Sequence, residues 1–155
     1  MAAIIEQQGR YLLVEERTSA GLQLNTPAGH LEPAESLQDA AVREALEETG
    51  RQFLPQAVVG VYLAAADNRR GYRETWVRVA YCGTASEPLP GHQLDQGIVR
   101  TVWMSPDEIR DSQDRHRSTL VWRCVRDHVQ GRRFPLDVMQ VDPTALEQGA
   151  MPFMV

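Results

Sequence analysis

The chain is poor in the features that define several large classes of protein. Of its 155 residues only Cys82 and Cys124 are cysteines. Two thiols so far apart make neither a metal motif nor a disulfide framework, so both are expected reduced and packed. No apolar run approaches the roughly 20 residues that a membrane-spanning helix needs. The first residues carry no basic-then-apolar leader, and a cytoplasmic location is the expectation. Repeats, low-complexity tracts and linkers are missing too. Positive charge is in deficit: the formal net charge is −5, which argues against a nucleic-acid surface. The basic residues that gather late, Arg115, Arg117, Arg123, Arg126, Arg132 and Arg133, read as a solvated helix face or, for a few, as contacts to substrate phosphates.

What is present suits one globular domain spanning 1–155. Apolar residues make up 43% and charged residues 24%, ordinary values for one core of this size. Ala2–Glu6 and Arg10–Glu16 read as a strand hairpin, with Leu22–Asn25 as a short further strand. The first strand begins almost at Met1, which leaves open a start further upstream. Ser36–Thr49 is the clearest helix, with Ser36 as N-cap, Asp39 three residues later and Gly50 as the C′ stop. Ala57–Ala66 and Arg73–Gly83 read as strands around the turn DNRRG. Ser86–Gly97 is a long polar loop, and Ile98–Met104 is another strand. Ser105 and Pro106 open a short helix, and Ser118–Gly131 is a second amphipathic helix. The apolar tail GAMPFMV is expected to dock or fray. Strands mixed with two main helices predict an α/β domain with helices on both faces of a mixed sheet.

One stretch opposes local physics. Near its end the helix carries Glu44, Glu47 and Glu48. Like charges three and four apart repel by roughly 0.2–0.5 kcal/mol per pair, and a helix C-terminus disfavours anions. At about 100° per residue the three carboxylates fall on one stripe. Ala40 and Ala41 share that arc, and Val42 and Leu46 point elsewhere as core candidates. A solvated acidic face would interleave basic residues, yet only Arg43 is there. A divalent cation reverses both costs. Hard oxygen ligands suit Mg²⁺ or Mn²⁺, and Mg²⁺ completes its shell with waters and substrate phosphates.

From Gly29 the chain runs five residues to Glu35, then seven, then REALEETG. This resembles the Nudix box, and Gly29, Glu35, Arg43, Glu44, Glu47, Glu48 and Gly50 all match. Arg51 departs from it, since the family usually has an aliphatic residue there. LLVEE, PAGHLE and STLVWRCVRDHVQGRRFPLDVM extend the resemblance over nearly the whole chain to the bacterial NudJ-type phosphatases. The resemblance implies a Nudix α/β/α sandwich around a mixed β-sheet. It implies hydrolysis of nucleoside tri- and diphosphates, or of thiamine-pathway pyrophosphates such as hydroxymethylpyrimidine pyrophosphate. Water would attack phosphorus with a cation held by Glu44, Glu47, Glu48 and the Gly29 carbonyl. Arg43 would orient a glutamate and Glu35 would brace the loop. Glu44 is one candidate base. The family's late glutamate falls at Gly97 here, so Asp95 either replaces it or is a solvated loop residue. A proline associated with ADP-ribose hydrolysis is missing downstream of the box, as is the coenzyme A signature.

No substrate-binding residue is assigned. His30 reads as loop-stabilising, His116 and His128 as surface residues, and Tyr62, Tyr72 and Trp76 as packing residues or ring-stacking candidates. The expected partner is a small nucleotide or pyrophosphate, with no nucleic acid and no membrane, and a monomer or small homo-oligomer as the assembly. Two rival readings are a Nudix enzyme for oxidised nucleotides and a nucleotide sensor without catalysis.

Overall fold

The computed structural model describes residues 1–67 and 71–147. In chain order these are β1 (Ala2–Gln7), β2 (Arg10–Thr18), β3 (Gly21–Asn25), α1 (Leu37–Thr49), β4 (Phe53–Asp67), β5 (Arg73–Ala85), β6 (Ile98–Met104), α2 (Pro106–Asp111) and α3 (Leu120–Val129). The expected strands and helices are all present, and β4 begins earlier than the sequence suggested. Most of the DNRRG turn and the apolar tail lie outside the described residues.

The six strands make a mixed sheet in the order β3-β2-β1-β5-β4, with β6 against β2. β1 runs parallel to β5 from Ala2↔Ala80 to Ile5↔Gly83, and only its end pairs with β2, at Glu6↔Tyr11 and Gln7↔Arg10. The sheet therefore splits along the start of β1. The chain leaving β3 fills the split: Ala3 N–H donates to the Pro27 carbonyl and Ala2 bridges Ala28. That segment delivers Gly29 to the split between the two half-sheets.

Two cores flank the sheet. On one side α1 packs through Ala41 and Ala45 onto Ala3, Ile5, Leu12, Val58 and Tyr81. On the other, Leu120, Val121, Cys124 and Val125 of α3 cover Ile4, Leu13, Val59 and Ala80. Both cysteines are free and buried, as expected. The α1 face corrects the sequence reading. Its buried residues are Ala40, Ala41, Glu44, Ala45, Glu48 and Thr49, whereas Val42 and Leu46 are half-buried at the margin. Small alanines let the helix approach the sheet closely, and that draws the neighbouring glutamates inward.

The late arginines have mixed roles. Arg126 and Arg132 both pair with buried Asp127, and Arg133 donates to the His128 carbonyl at the end of α3. His116 is buried rather than exposed, and half-buried His128 meets the Tyr11 hydroxyl at 2.7 Å. No helix among the described residues is long and apolar enough to cross a membrane.

Candidate active site

Capping fixes the ends of α1. The Ser36 hydroxyl accepts from Asp39 N–H at 3.0 Å, and Gly50 ends the helix at φ 69° with its N–H on the Leu46 carbonyl. That left-handed conformation favours glycine. Between the caps the three glutamates take unequal places. Glu44 and Glu48 are 9% and 8% exposed, while Glu47 turns toward solvent.

Gly29 sits hard against Glu44. A Cβ at Gly29 would lie 1.9 Å from Glu44 Oε1, so any side chain there would push the Glu44 carboxylate aside. Arg43 ties this corner together. Its Nε and Nη2 donate to Glu35 at 3.0 and 2.7 Å, and Nη2 also donates to the His30 carbonyl. Its remaining nitrogen, Nη1, donates to Glu44 Oε1 at 2.9 Å and Glu47 Oε2 at 3.1 Å. Glu35 in turn accepts from Glu32 N–H at 2.7 Å. The Arg43 hydrogen bond holds the Glu35 carboxyl below its usual pKa.

Glu48 is differently placed. It accepts from Ala28 N–H at 2.9 Å, and no arginine of a described residue comes within salt-bridge distance of it. Burial pushes its pKa up to about 8, and the charges of Glu44, Glu16 and Asp95 add to the shift against the Ala28 hydrogen bond. Burial also raises Glu44, with Arg43 opposing. The site therefore holds more carboxylate than cation.

Asp95 belongs to the long loop before β6, which docks on the C-terminal end of α1. Leu89 N–H donates to the Gly50 carbonyl and Asp95 N–H to the Glu47 carbonyl. The Asp95 side chain is exposed. Arg51 anchors the loop. It is 8% exposed, donates to the Ser86 carbonyl at 2.8 Å and lies 5.4 Å from the Trp103 ring centroid. Its aliphatic stem does the packing expected at this position, and its head ties down the loop. Sequence reading missed that role, and it missed Glu16. The signal for Glu16 was present: alternation along β2 puts Leu12, Val14 and Glu16 on one face.

The donor chemistry fits a hard divalent cation: several carboxylate oxygens lie close together, and Gly29 lets the Glu44 carboxylate reach the glycine backbone. The side chains as they stand are not gathered around one. Among the described residues no three acidic, histidine or cysteine side chains form a metal-ligand group. Arg43 Nη1 lies between Glu44 and Glu47, and the Gly29 carbonyl accepts from the Met1 ammonium.

A sequence model of the NUDIX domain matches residues 1–123. The chain belongs to the Nudix family. It is 31% identical to the phosphatase NudJ of Escherichia coli K12 over 139 residues, covering 90% of this chain and 88% of that one. Its structure superposes on a Nudix hydrolase from Nitrosomonas europaea with a TM-score of 0.85 and 45% identity, over 92% of this chain and 95% of that one. A MutT Nudix hydrolase from Burkholderia pseudomallei, 20% identical with a TM-score of 0.65 over 81% and 93%, shares the fold. The Nudix architecture expected from the sequence is the one observed, and the protein is a hydrolase acting on phosphorus-containing acid anhydrides.

Proposed function

We propose that this Nudix hydrolase is Mg²⁺-dependent, with Mn²⁺ as an alternative, and works as one unit on small pyrophosphates. Its substrates are nucleoside tri- and diphosphates, or thiamine-pathway pyrophosphates such as hydroxymethylpyrimidine pyrophosphate. The similarity to a phosphatase NudJ supports that class. The observation that carries the reading is Glu48, a buried carboxylate among other carboxylates with no cation of a described residue in salt-bridge distance.

Glu44, Glu47 and Glu48 would hold the ion, with the Gly29 carbonyl beside them. Bound there, the cation would polarise the phosphoryl oxygens and acidify its water. Arg43 keeps its Nε and Nη2 on Glu35 and the His30 carbonyl and its Nη1 on Glu44, so only the Nη1 contact to Glu47 need give way to the ion. Arg43 then orients Glu44 while Glu35 braces the loop. Glu44 takes the proton of the attacking water, a role its raised proton affinity suits. Asp95 is the other candidate base, since its loop is fixed to the helix that carries the ligands.

The test is phosphate and pyrophosphate release from a panel containing nucleoside di- and triphosphates, hydroxymethylpyrimidine pyrophosphate, ADP-ribose and oxidised dGTP. Release from the first two groups with Mg²⁺, lost with chelator and with Glu48→Gln, is the expected outcome. No release from any compound defeats the enzyme assignment, and a strong preference for ADP-ribose or oxidised dGTP defeats the substrate class.

A further inference from the structure

β5 projects past the end of β1, and its residues there alternate between two environments. Trp76 and Arg78 lie opposite Ala64 and Tyr62 in an uninterrupted register, so their side chains share one face. Tyr62 is buried against α3 on that face. Trp76 remains 43% exposed, a large exposure for an indole on the side of the sheet that α3 covers.

Trp76 is connected to the catalytic corner by one short path. Its ring lies 5.3 Å from the His30 ring, centroid to centroid, with the planes tilted by 50°. His30 directly follows Gly29, and its carbonyl is held by Arg43. Two rings at that spacing and tilt make an open aromatic corner beside the carboxylates.

Arg78 is the second observation. It is half-buried, and its neighbours within hydrogen-bonding reach are weak neutral groups: Asn25 Oδ1 at 3.3 Å, Thr26 Oγ1 at 3.4 Å and the Cys124 thiol. No carboxylate of a described residue is in salt-bridge distance of it. Burial works against its charge, with Cys124 and then Glu16 and Glu48 partly offsetting that cost. A guanidinium held this loosely beside a hydrolytic site has donors to spare for an anion.

We infer that Trp76 and His30 form the stacking wall for a planar ring of the substrate and that Arg78 binds a phosphate joined to that ring. Residues two apart on a strand are separated by roughly 6.5 Å, which suits a sugar or short linker between ring and phosphate. Stacking reads a π-face rather than a hydrogen-bond pattern, so purines and pyrimidines are both accepted. The subsite rests on the hydrolase reading above and assigns the side chains that hold the ring and the phosphate of those substrates.

The test is binding of CMP, GMP and ribose 5-phosphate in chelator, with affinities read by calorimetric titration and the ring contact read in ¹⁵N-labelled wild type at the Trp76 indole N–H, which Trp76→Phe assigns by its loss. CMP and GMP are expected to move that resonance and to bind within a few-fold of each other. Ribose 5-phosphate is expected to bind about tenfold more weakly, the loss of one stacked ring. Trp76→Ala should weaken CMP and GMP about tenfold while leaving ribose 5-phosphate unchanged, and Trp76→Phe should restore binding. Arg78→Gln should weaken all three phosphates. Equal affinity for ribose 5-phosphate and CMP, or unchanged CMP binding by Trp76→Ala, overturns the proposal. Ring-selective binding without hydrolysis in Mg²⁺ would overturn the catalytic reading and leave this subsite standing.

Discussion

Glu15 and Glu48 have similarly little exposed surface, 4% and 8%, yet their pKa values shift in opposite directions. Glu15 lies between Arg100 and Arg115, and the Arg100 hydrogen bond holds its pKa below the usual value. Glu48 has one backbone hydrogen bond and a set of acidic neighbours, and its pKa rises to about 8. Glu48 is desolvated in the interior and faces like charge, whereas Glu15 is covered by two exposed arginines of opposite charge. Glu15 is complete within the protein and joins β2 to β6 and the turn at Gln113–Arg115. Glu48 is incomplete within the protein, which is the usual mark of a place that a ligand finishes.

Exchanging each carboxylate for an amide breaks the comparison most sharply. Glu48→Gln is expected to lower kcat about 100-fold or more, in the range seen when one charge-stabilising group is removed from an active site. Its melting temperature in chelator should not fall, because the amide keeps an acceptor for Ala28 N–H and needs no proton to stay neutral. Mg²⁺ should raise the melting temperature of the wild type and leave that of Glu48→Gln nearly unchanged. Equal stabilisation of both by Mg²⁺ would remove Glu48 from the ion site. Glu15→Gln is expected to do the reverse. It should lose about 1–3 kcal/mol, the worth of a charge-assisted hydrogen bond, while kcat per folded molecule stays within about twofold. A catalytic defect in correctly folded Glu15→Gln would erase the distinction.

Protons sharpen the same contrast. Between about pH 4.5 and 8, folded metal-free protein keeps a proton on Glu48 that the unfolded chain has released. Unfolding then releases that proton, so the Glu48 contribution to stability falls as pH rises through this window. Glu15 has a lowered folded pKa, so its contribution is present above the ordinary carboxyl value and is lost as pH falls through the folded one. Melting curves in chelator should therefore show wild type losing ground to Glu48→Gln toward pH 8, and to Glu15→Gln only in acid. A constant gap between wild type and Glu48→Gln across the window would contradict the assigned shift.

The two sites also differ in how much of them the sequence made legible. Ser36, Gly50, the strand hairpin and the order of helices were readable because capping and turn chemistry act between neighbours in the chain. The spacing of Gly29, Glu35, Arg43, Glu44, Glu47 and Glu48 was readable for the same reason, and it revealed the family. The Glu15 pairs were not, because Arg100 and Arg115 lie 85 and 100 residues away. The helical wheel placed the acidic stripe correctly but misjudged its direction. It ranked Val42 and Leu46 above alanine for the core, while the close approach to the sheet was decided by Ala41 and Ala45. Arg51 departed from the family pattern, and its grip on Ser86 and Trp103 appears only once the loop has folded back.

Asp95 supplies the finest division of the Glu48 environment. Its charge is the last of the three that raise Glu48, behind Glu44 and Glu16. Its own side chain is exposed, and its backbone N–H, which docks on the Glu47 carbonyl, survives any side-chain substitution. Asp95→Asn thus removes one charge and keeps the loop in place. If Asp95 acts only through its field, Glu48 becomes slightly more acidic. The acid limb of the rate–pH profile then shifts a little to lower pH, and the plateau changes by no more than a few-fold. If Asp95 takes the proton of the attacking water, the plateau drops by about 10² or more, as loss of a general base does. The field role is the expected result, because Glu44 is the closer partner of the Gly29 corner. A collapse of the plateau with an unchanged melting temperature would transfer the base assignment from Glu44 to Asp95.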